Sequence, residues 1–143
     1  MKHFKIYLLF FAICIACTKD ENPVPRVSVN IWKYDIASDP ELTNLLAPFN
    51  GVVVTGGYKL NGIIIYRLKN EGAFDDFVAY DRTCPYESST CVMVLGKGGL
   101  YNCTCKCCGS VFNLYGGYME NGKTKYPLRK YSCDYIEGSL HIY

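Results

Sequence analysis

Histidine is nearly absent from this 143-residue chain, which contains only His3 and His141. His3 falls within the N-terminal leader, so the rest of the chain keeps a single imidazole. A metal site that needs two histidine ligands therefore cannot be built from the rest of the chain alone. The chain has nine cysteines, and thiolates are the metal ligands that remain.

The chain also lacks an excess of charge. Once Lys2 and Lys5 of the leader are set aside, thirteen basic residues stand against thirteen acidic ones. No basic stripe remains that would bind nucleic acid. Three common signatures of catalysis are missing as well: a nucleophile paired with a base, a glycine-rich phosphate loop and paired acid–base carboxylates. The sequence therefore offers no candidate catalytic residue.

The leader lacks the length to span a bilayer, because its apolar stretch, residues 6–16, has only eleven residues. With Lys2 and Lys5 around its start, this stretch is typical of a signal peptide. It ends in Ala16-Cys17, and a small residue before a cysteine resembles the bacterial lipoprotein processing site. We therefore expect residues 1–16 to be a lipoprotein signal peptide and Cys17 to carry the lipid. An ordinary secretory signal is the alternative.

Residues 17–26 predict a lipidated cysteine followed by a polar tether, which Pro23 and Pro25 interrupt. The acidic pair Asp20-Glu21 resembles the surface-export tag of Bacteroidetes lipoproteins, although a solvated linker explains the same residues. The expected location is the cell envelope, with a lipid anchor in a membrane and the protein on its periplasmic or cell-surface face.

Thirteen glycines, thirteen tyrosines and several Val/Ile runs favour a sheet-rich fold. Residues 27–143 make up one domain's worth of chain. Alternating or continuous apolar residues predict strands at 27–34, 52–55, 63–68, 77–80, 111–112, 128–136 and 140–143. Asp39 and Pro40 predict the start of a short helix, and two more short strands are expected around the turn residues Gly96, Gly98 and Gly99.

Two cysteine loops lie on this predicted scaffold. Cys84 and Cys91 have a C-x6-C spacing, Cys105 and Cys108 have a C-x2-C spacing, and thirteen residues separate the two pairs. Paired loops of this kind hold a tetrahedral thiolate metal site or a small iron–sulfur cluster, so these four cysteines are the predicted metal ligands. Behind them, Gly109 permits close backbone approach, and the Ser110 hydroxyl is expected to reach a thiolate or a cluster sulfur.

Longer motifs around the loops resemble a Rieske-type iron–sulfur domain. They are AYDRTCP at 79–85, C-x-x-C-G-S-x-F-N-L at 105–114, Gly-Gly at 116–117 and P-L-R-x-Y at 127–131. The resemblance covers residues 27–143 and implies an all-β fold: an antiparallel β-sandwich base with a small rubredoxin-like or zinc-ribbon-like lobe at about 81–116. It also implies a [2Fe-2S] cluster, an electron carrier rather than a stand-alone enzyme, and a redox partner protein of unknown identity.

The sequence departs from the Rieske pattern at the ligands. A Rieske centre uses one cysteine and one histidine from each loop, but Tyr86 and Cys108 stand at the two histidine positions. The expectation is therefore a cluster with four cysteine ligands. The resemblance also implies a disulfide between the loops, from Cys91 to Cys107, and this bond competes with Cys91 as a ligand.

Disulfides are the general alternative, because crosslinks are the default use of cysteine in an exported protein. Seven cysteines follow Cys17, an odd number, so at least one is unpaired or engaged in another way. Three functions stay open: an electron carrier with a [2Fe-2S] cluster, a structural module with a four-cysteine zinc site, and a metal-free interaction protein held together by disulfides. The sequence favours the first, with zinc as the alternative cofactor.

Overall fold

The structure is a computed structural model that describes residues 21–86, 90–96 and 101–143. The predicted signal peptide, the lipidation site Cys17 and the first part of the tether lie outside the described residues. Among the described residues, no helix is both long enough and apolar enough to cross a membrane.

The described residues form an all-β fold, which confirms the predicted fold class. Eleven short strands are assigned in them: β1 (Ile31–Lys33), β2 (Gly51–Val54), β3 (Ile63–Arg67), β4 (Phe77–Asp81), β5 (Met93–Leu95), β6 (Asn102–Cys105), β7 (Val111–Asn113), β8 (Met119–Asn121), β9 (Lys130–Tyr131), β10 (Cys133–Ile136) and β11 (Ser139–Ile142). Two 3-10 helices, Thr43–Leu46 and Tyr58–Leu60, complete the regular structure of these residues.

The strands pair into three antiparallel sheets. The outer sheet has the order β1-β11-β10, and the central sheet has the order β2-β3-β4-β9. The lobe sheet has the order β5-β6-β7-β8 and carries the second cysteine loop between β6 and β7. Both termini of the domain meet in the outer sheet, where Trp32 of β1 lies opposite His141 of β11.

Two hydrophobic cores lie on opposite faces of the central sheet. Ile63 and Ile65 of β3 pack in the first core with Leu140 and other residues of the outer sheet. Ile64 and its neighbours on the alternate face pack in the second core with Phe112 and other residues of the lobe sheet. All five residues of β3 and all five of β4 are buried, because successive side chains of a strand point to opposite faces and both faces are covered. The central sheet is therefore the common wall of the two cores.

Several predicted elements differ from the observed ones. The strand predicted at 27–34 is confined to Ile31–Lys33. No helix starts at Asp39 and Pro40; the Asp39 side chain accepts a hydrogen bond from the Glu41 N–H at 2.9 Å, which stabilises a turn instead. The strand predicted at 128–136 is two strands in different sheets, divided at Ser132.

Asp81, at the end of β4, fixes the start of the first cysteine loop. Its carboxylate is fully buried and accepts hydrogen bonds from the Thr83 N–H at 2.9 Å and from the Tyr58 N–H at 2.6 Å. The Tyr131 hydroxyl donates a third bond at 2.8 Å. A buried carboxylate needs such donors to offset the loss of its hydration, so these contacts hold the backbone in place just before Cys84.

Replacing Tyr131 with Phe is expected to destabilise the fold by about 1.5–2 kcal/mol, the lower part of the range for hydrogen bonds to charged groups, because two backbone donors to Asp81 remain. Urea unfolding monitored by circular dichroism measures this change. Tyr118→Phe is the matched control, since Tyr118 is exposed. An equal stability of the Tyr131→Phe variant and the wild type would show that the hydroxyl contributes nothing to the buried carboxylate.

Candidate metal centre

The two cysteine loops are joined to each other through their backbones. The Cys84 N–H donates to the Cys91 carbonyl at 2.9 Å within the first loop. The Lys106 N–H of the second loop donates to the Val92 carbonyl at 3.3 Å, and Met93 lies opposite Cys105 in the β5–β6 register. The sheet therefore brings the end of the first loop directly beside the start of the second.

The second loop closes in a tight turn. The Cys105 N–H donates to the Ser110 carbonyl at 2.8 Å, and the Gly109 N–H donates to the Cys105 carbonyl at 3.1 Å. Gly109 has a φ of 72°, in the left-handed region that a residue without a Cβ adopts at little cost. This turn carries the chain back from Cys108 into β7.

Three sulfur atoms converge where the loops meet. The Sγ atoms of Cys84, Cys105 and Cys108 all lie within 4.8 Å of one another. The Sγ atoms of Cys84 and Cys108 are 3.7 Å apart. Cys84 and Cys105 are buried and Cys108 is half-buried, so the group faces solvent on the Cys108 side. These three cysteines form a group that could bind a metal ion, and among the described residues no histidine or carboxylate belongs to it.

Ser110 contacts this group from behind, as predicted. Its Oγ lies 3.1 Å from the Cys108 Sγ and accepts a hydrogen bond from the Lys123 N–H, also at 3.1 Å. With a backbone donor satisfying its oxygen, the hydroxyl can direct its own proton toward the Cys108 sulfur. A Cβ added at Gly122 would collide with the Ser110 side chain, so a residue without a side chain keeps this approach open.

The surroundings of Cys108 favour its thiolate form. Burial on its own raises the pKa of the Cys108 thiol, but hydrogen bonds from the Ser110 side chain and backbone, together with those to Cys105 and Cys84, outweigh it and lower the pKa below its ordinary value. A thiolate is the form of cysteine that ligates metals.

Cys91 does not join the sulfur group. It forms a disulfide with Cys107, with the two Cα atoms 6.0 Å apart. The prediction that Cys91 is a metal ligand is therefore wrong in this structure, because a sulfur in a disulfide has no thiolate to donate. The bond instead links the first loop to the second, which is the competing arrangement that the sequence left open.

Two further cysteines lie outside both the disulfide and the sulfur group. Cys103 on β6 is fully buried in the second core, where burial first, and then Cys84 and Cys105, raise the pKa of its thiol to about 12. Cys133 on β10 packs against the first core, and burial followed by Asp134 raises the pKa of its thiol to about 12. Cys103 was not among the predicted ligands; it lies two residues before Cys105, so both side chains are on the same buried face of β6.

Of the predicted site residues, the structure brings together Cys84, Cys105 and Cys108, with Gly109 and Ser110 in the supporting loop. Tyr86, at a position where the resemblance would place a histidine, is half exposed, with 49% of its surface accessible. Cys17 lies outside the described residues. Neither the models of known protein families nor the curated proteins match this sequence.

Proposed function

We propose that the lobe binds a single metal ion through thiolates, and that the ion is zinc. The observation that carries this proposal is the compactness of the sulfur group, whose three Sγ atoms lie within 4.8 Å of one another. Zinc–sulfur bonds of about 2.3 Å in a tetrahedron place the sulfurs roughly 3.8 Å apart. The separation of 3.7 Å between Cys84 and Cys108 fits this geometry. A two-iron cluster would hold its ligands as two pairs, with a wider gap between the pairs.

The role of such an ion follows from the residues it would join. Cys84 belongs to the first loop, and Cys105 and Cys108 belong to the second. One ion bound by all three would therefore crosslink the two loops beside the second core. Zinc has no redox chemistry of its own, and sites of this kind contribute to folding. The chain's own residues would supply three ligand charges and the Ser110 hydrogen bond to Cys108. The proposed function is therefore that of a structural module whose two loops are held together by zinc.

A membrane-tethered [2Fe-2S] electron carrier is the second candidate. The observation that favours it is the Cys91–Cys107 disulfide, since the Rieske resemblance implies a bond between the two loops at these residues. With thiolate ligands alone, the reduction potential would lie near the roughly −400 mV of plant-type centres. No ligating imidazole would titrate near neutral pH, so this potential would be nearly independent of pH.

Metal analysis and a visible absorption spectrum of the purified full-length protein separate these functions. The zinc site predicts about one zinc per chain and a protein without visible colour, because Zn²⁺ has a filled d shell. Two irons per chain with inorganic sulfide and a coloured protein would favour the electron carrier instead. A protein that takes up neither metal after mild reduction would overturn both and leave a metal-free interaction module.

The location proposed for this module is the cell envelope, with the domain tethered through a lipid on Cys17. The leader, residues 1–16, and the small residue before Cys17 support this proposal.

Replacing Cys17 with Ser is expected to move the protein from the membrane fraction to the soluble fraction, because one residue carries the whole anchor. Fractionation of cells, followed by a high-salt wash of the membranes, measures the distribution. Cys133→Ser is the matched control, since that cysteine lies on β10, far along the chain from the predicted processing site. A Cys17→Ser variant that stays on washed membranes would contradict lipidation.

A further inference from the structure

The sulfur group supplies three of the four ligands that a tetrahedral structural zinc site requires. Cys91 cannot supply the fourth while it is bonded to Cys107. In the described part of the chain, no histidine, aspartate or glutamate places a donor atom in the group. The candidates for the missing ligand among the described residues are therefore another sulfur close by and solvent on the Cys108 side.

Cys103 is placed to provide that sulfur. It lies two residues before Cys105 on β6, so both side chains point to the same face of the lobe sheet, with their Cα atoms roughly 6.6 Å apart along the strand. Cys103, Cys105 and Cys84 are all buried in the second core. Cys103 therefore shares one core with the two buried members of the sulfur group.

We propose that Cys103 is the fourth metal ligand, so that Cys84, Cys103, Cys105 and Cys108 form an all-sulfur tetrahedral site. This inference rests on the metal site proposed above. Cys103 stands outside the group of sulfurs that lie within 4.8 Å of one another, so ligation requires its sulfur to move toward the other three. On ligation, the thiol gives its proton to water and its sulfur forms the bond to the metal.

The arrangement explains the choice of residue at position 103. A buried position facing Phe112 and Leu95 across the sheet would suit valine or another apolar side chain equally well for packing. Met93, fully buried and opposite Cys105, is another sulfur in the same core. A thioether carries no charge and is a weaker donor to Zn²⁺ than a thiolate, which favours Cys103 over Met93.

X-ray absorption on the zinc-loaded full-length protein counts the sulfur ligands directly. The wild type is expected to give four sulfur neighbours at about 2.3 Å. Cys103→Val is expected to give three sulfurs and one lighter atom, with zinc affinity lowered by more than about 100-fold, since even an outer-shell change costs about 10–100-fold. Met93→Leu and Cys133→Ser, the matched controls, are expected to keep four sulfurs.

The other results of this experiment would contradict the inference, and they distinguish a wrong fourth ligand from the absence of a zinc site. Three sulfurs in the wild type would overturn Cys103 as a ligand and leave the zinc site itself intact. Loss of a sulfur in Met93→Leu, with four retained in Cys103→Val, would assign the position to the thioether. A wild type that binds no zinc would overturn the proposed function and this inference together. If Cys103→Val fails to fold, the double variant Cys91→Ala and Cys107→Ala replaces it: four sulfurs in that variant and in Met93→Leu would support Cys103, and three in the double variant would overturn it.

Discussion

Replacing Cys105 with Ser is expected to lower zinc affinity by more than about 100-fold, and Cys108→Ser is expected to do the same. Each change removes a ligand outright, and even the loss of an outer-shell contact costs about 10–100-fold. Cys105 is also buried, with 1% of its surface exposed, so solvent cannot easily replace its sulfur. Competition with a chromophoric chelator measures the affinity.

Cys133→Ser is the control for these variants. Cys133 lies on β10 and packs against the first core, on the other side of the central sheet from the sulfur group. Its loss should leave affinity and stoichiometry unchanged. Equal affinity in the Cys105→Ser variant and the wild type would show that the sulfur group does not hold the metal.

Removing the Cys91–Cys107 disulfide with the double change Cys91→Ala and Cys107→Ala is expected to destabilise the metal-free protein by about 3 kcal/mol, the value for a crosslink that closes a loop of this size. The two cysteines are 16 residues apart in sequence. For a domain of this length, the melting temperature should fall by roughly 10 °C. Calorimetry on metal-free protein measures both quantities.

Zinc binding by the same double variant tests whether Cys91 is a disulfide partner of Cys107 rather than a metal ligand. With Cys91 bonded to Cys107, the double variant should keep one zinc per chain, and wild type treated with a mild reductant should behave in the same way. A double variant that loses its zinc would instead identify Cys91 as a ligand and remove the disulfide from the functional form of the protein.

Much of the base could be predicted because its strands carry a strong local signal. The strands predicted at 63–68 and 77–80 are observed as Ile63–Arg67 and Phe77–Asp81, and the structure shows that both are buried on both faces. Strand β8, Met119–Asn121, was missed because its side chains are half-buried or exposed and show no apolar alternation. The division of 128–136 at Ser132 was missed because the chain changes sheets there, which is a property of tertiary packing.

The candidate metal centre was also predicted only in part, because tertiary contacts decide the roles of some of its cysteines. Cysteine spacing identified Cys84, Cys105 and Cys108, because closely spaced cysteines in paired loops point to a common site. Spacing cannot decide which sulfurs bond to each other, so Cys91 was open to two roles until its distance from Cys107 was known. Cys103 was not among the predicted ligands, because a cysteine within a strand gives no loop signal; in the structure it lies on the same face of β6 as Cys105.

The central sheet, which both cores share, connects the sulfur group to the rest of the domain. Ile64 and Tyr80 face the sulfur group's core, while Ile63 and Ala79, beside them on the same strands, face the other core. If the lobe sheet separated from the central sheet, the face of β3 and β4 that lines the second core would be exposed to water. The same two strands line the first core, so we expect both cores to unfold in one cooperative transition. A ligand bound at one end then raises the unfolding free energy of the whole by mass action. Hydrogen exchange of the β11 amides, far from any cysteine loop, would therefore slow when the metal binds.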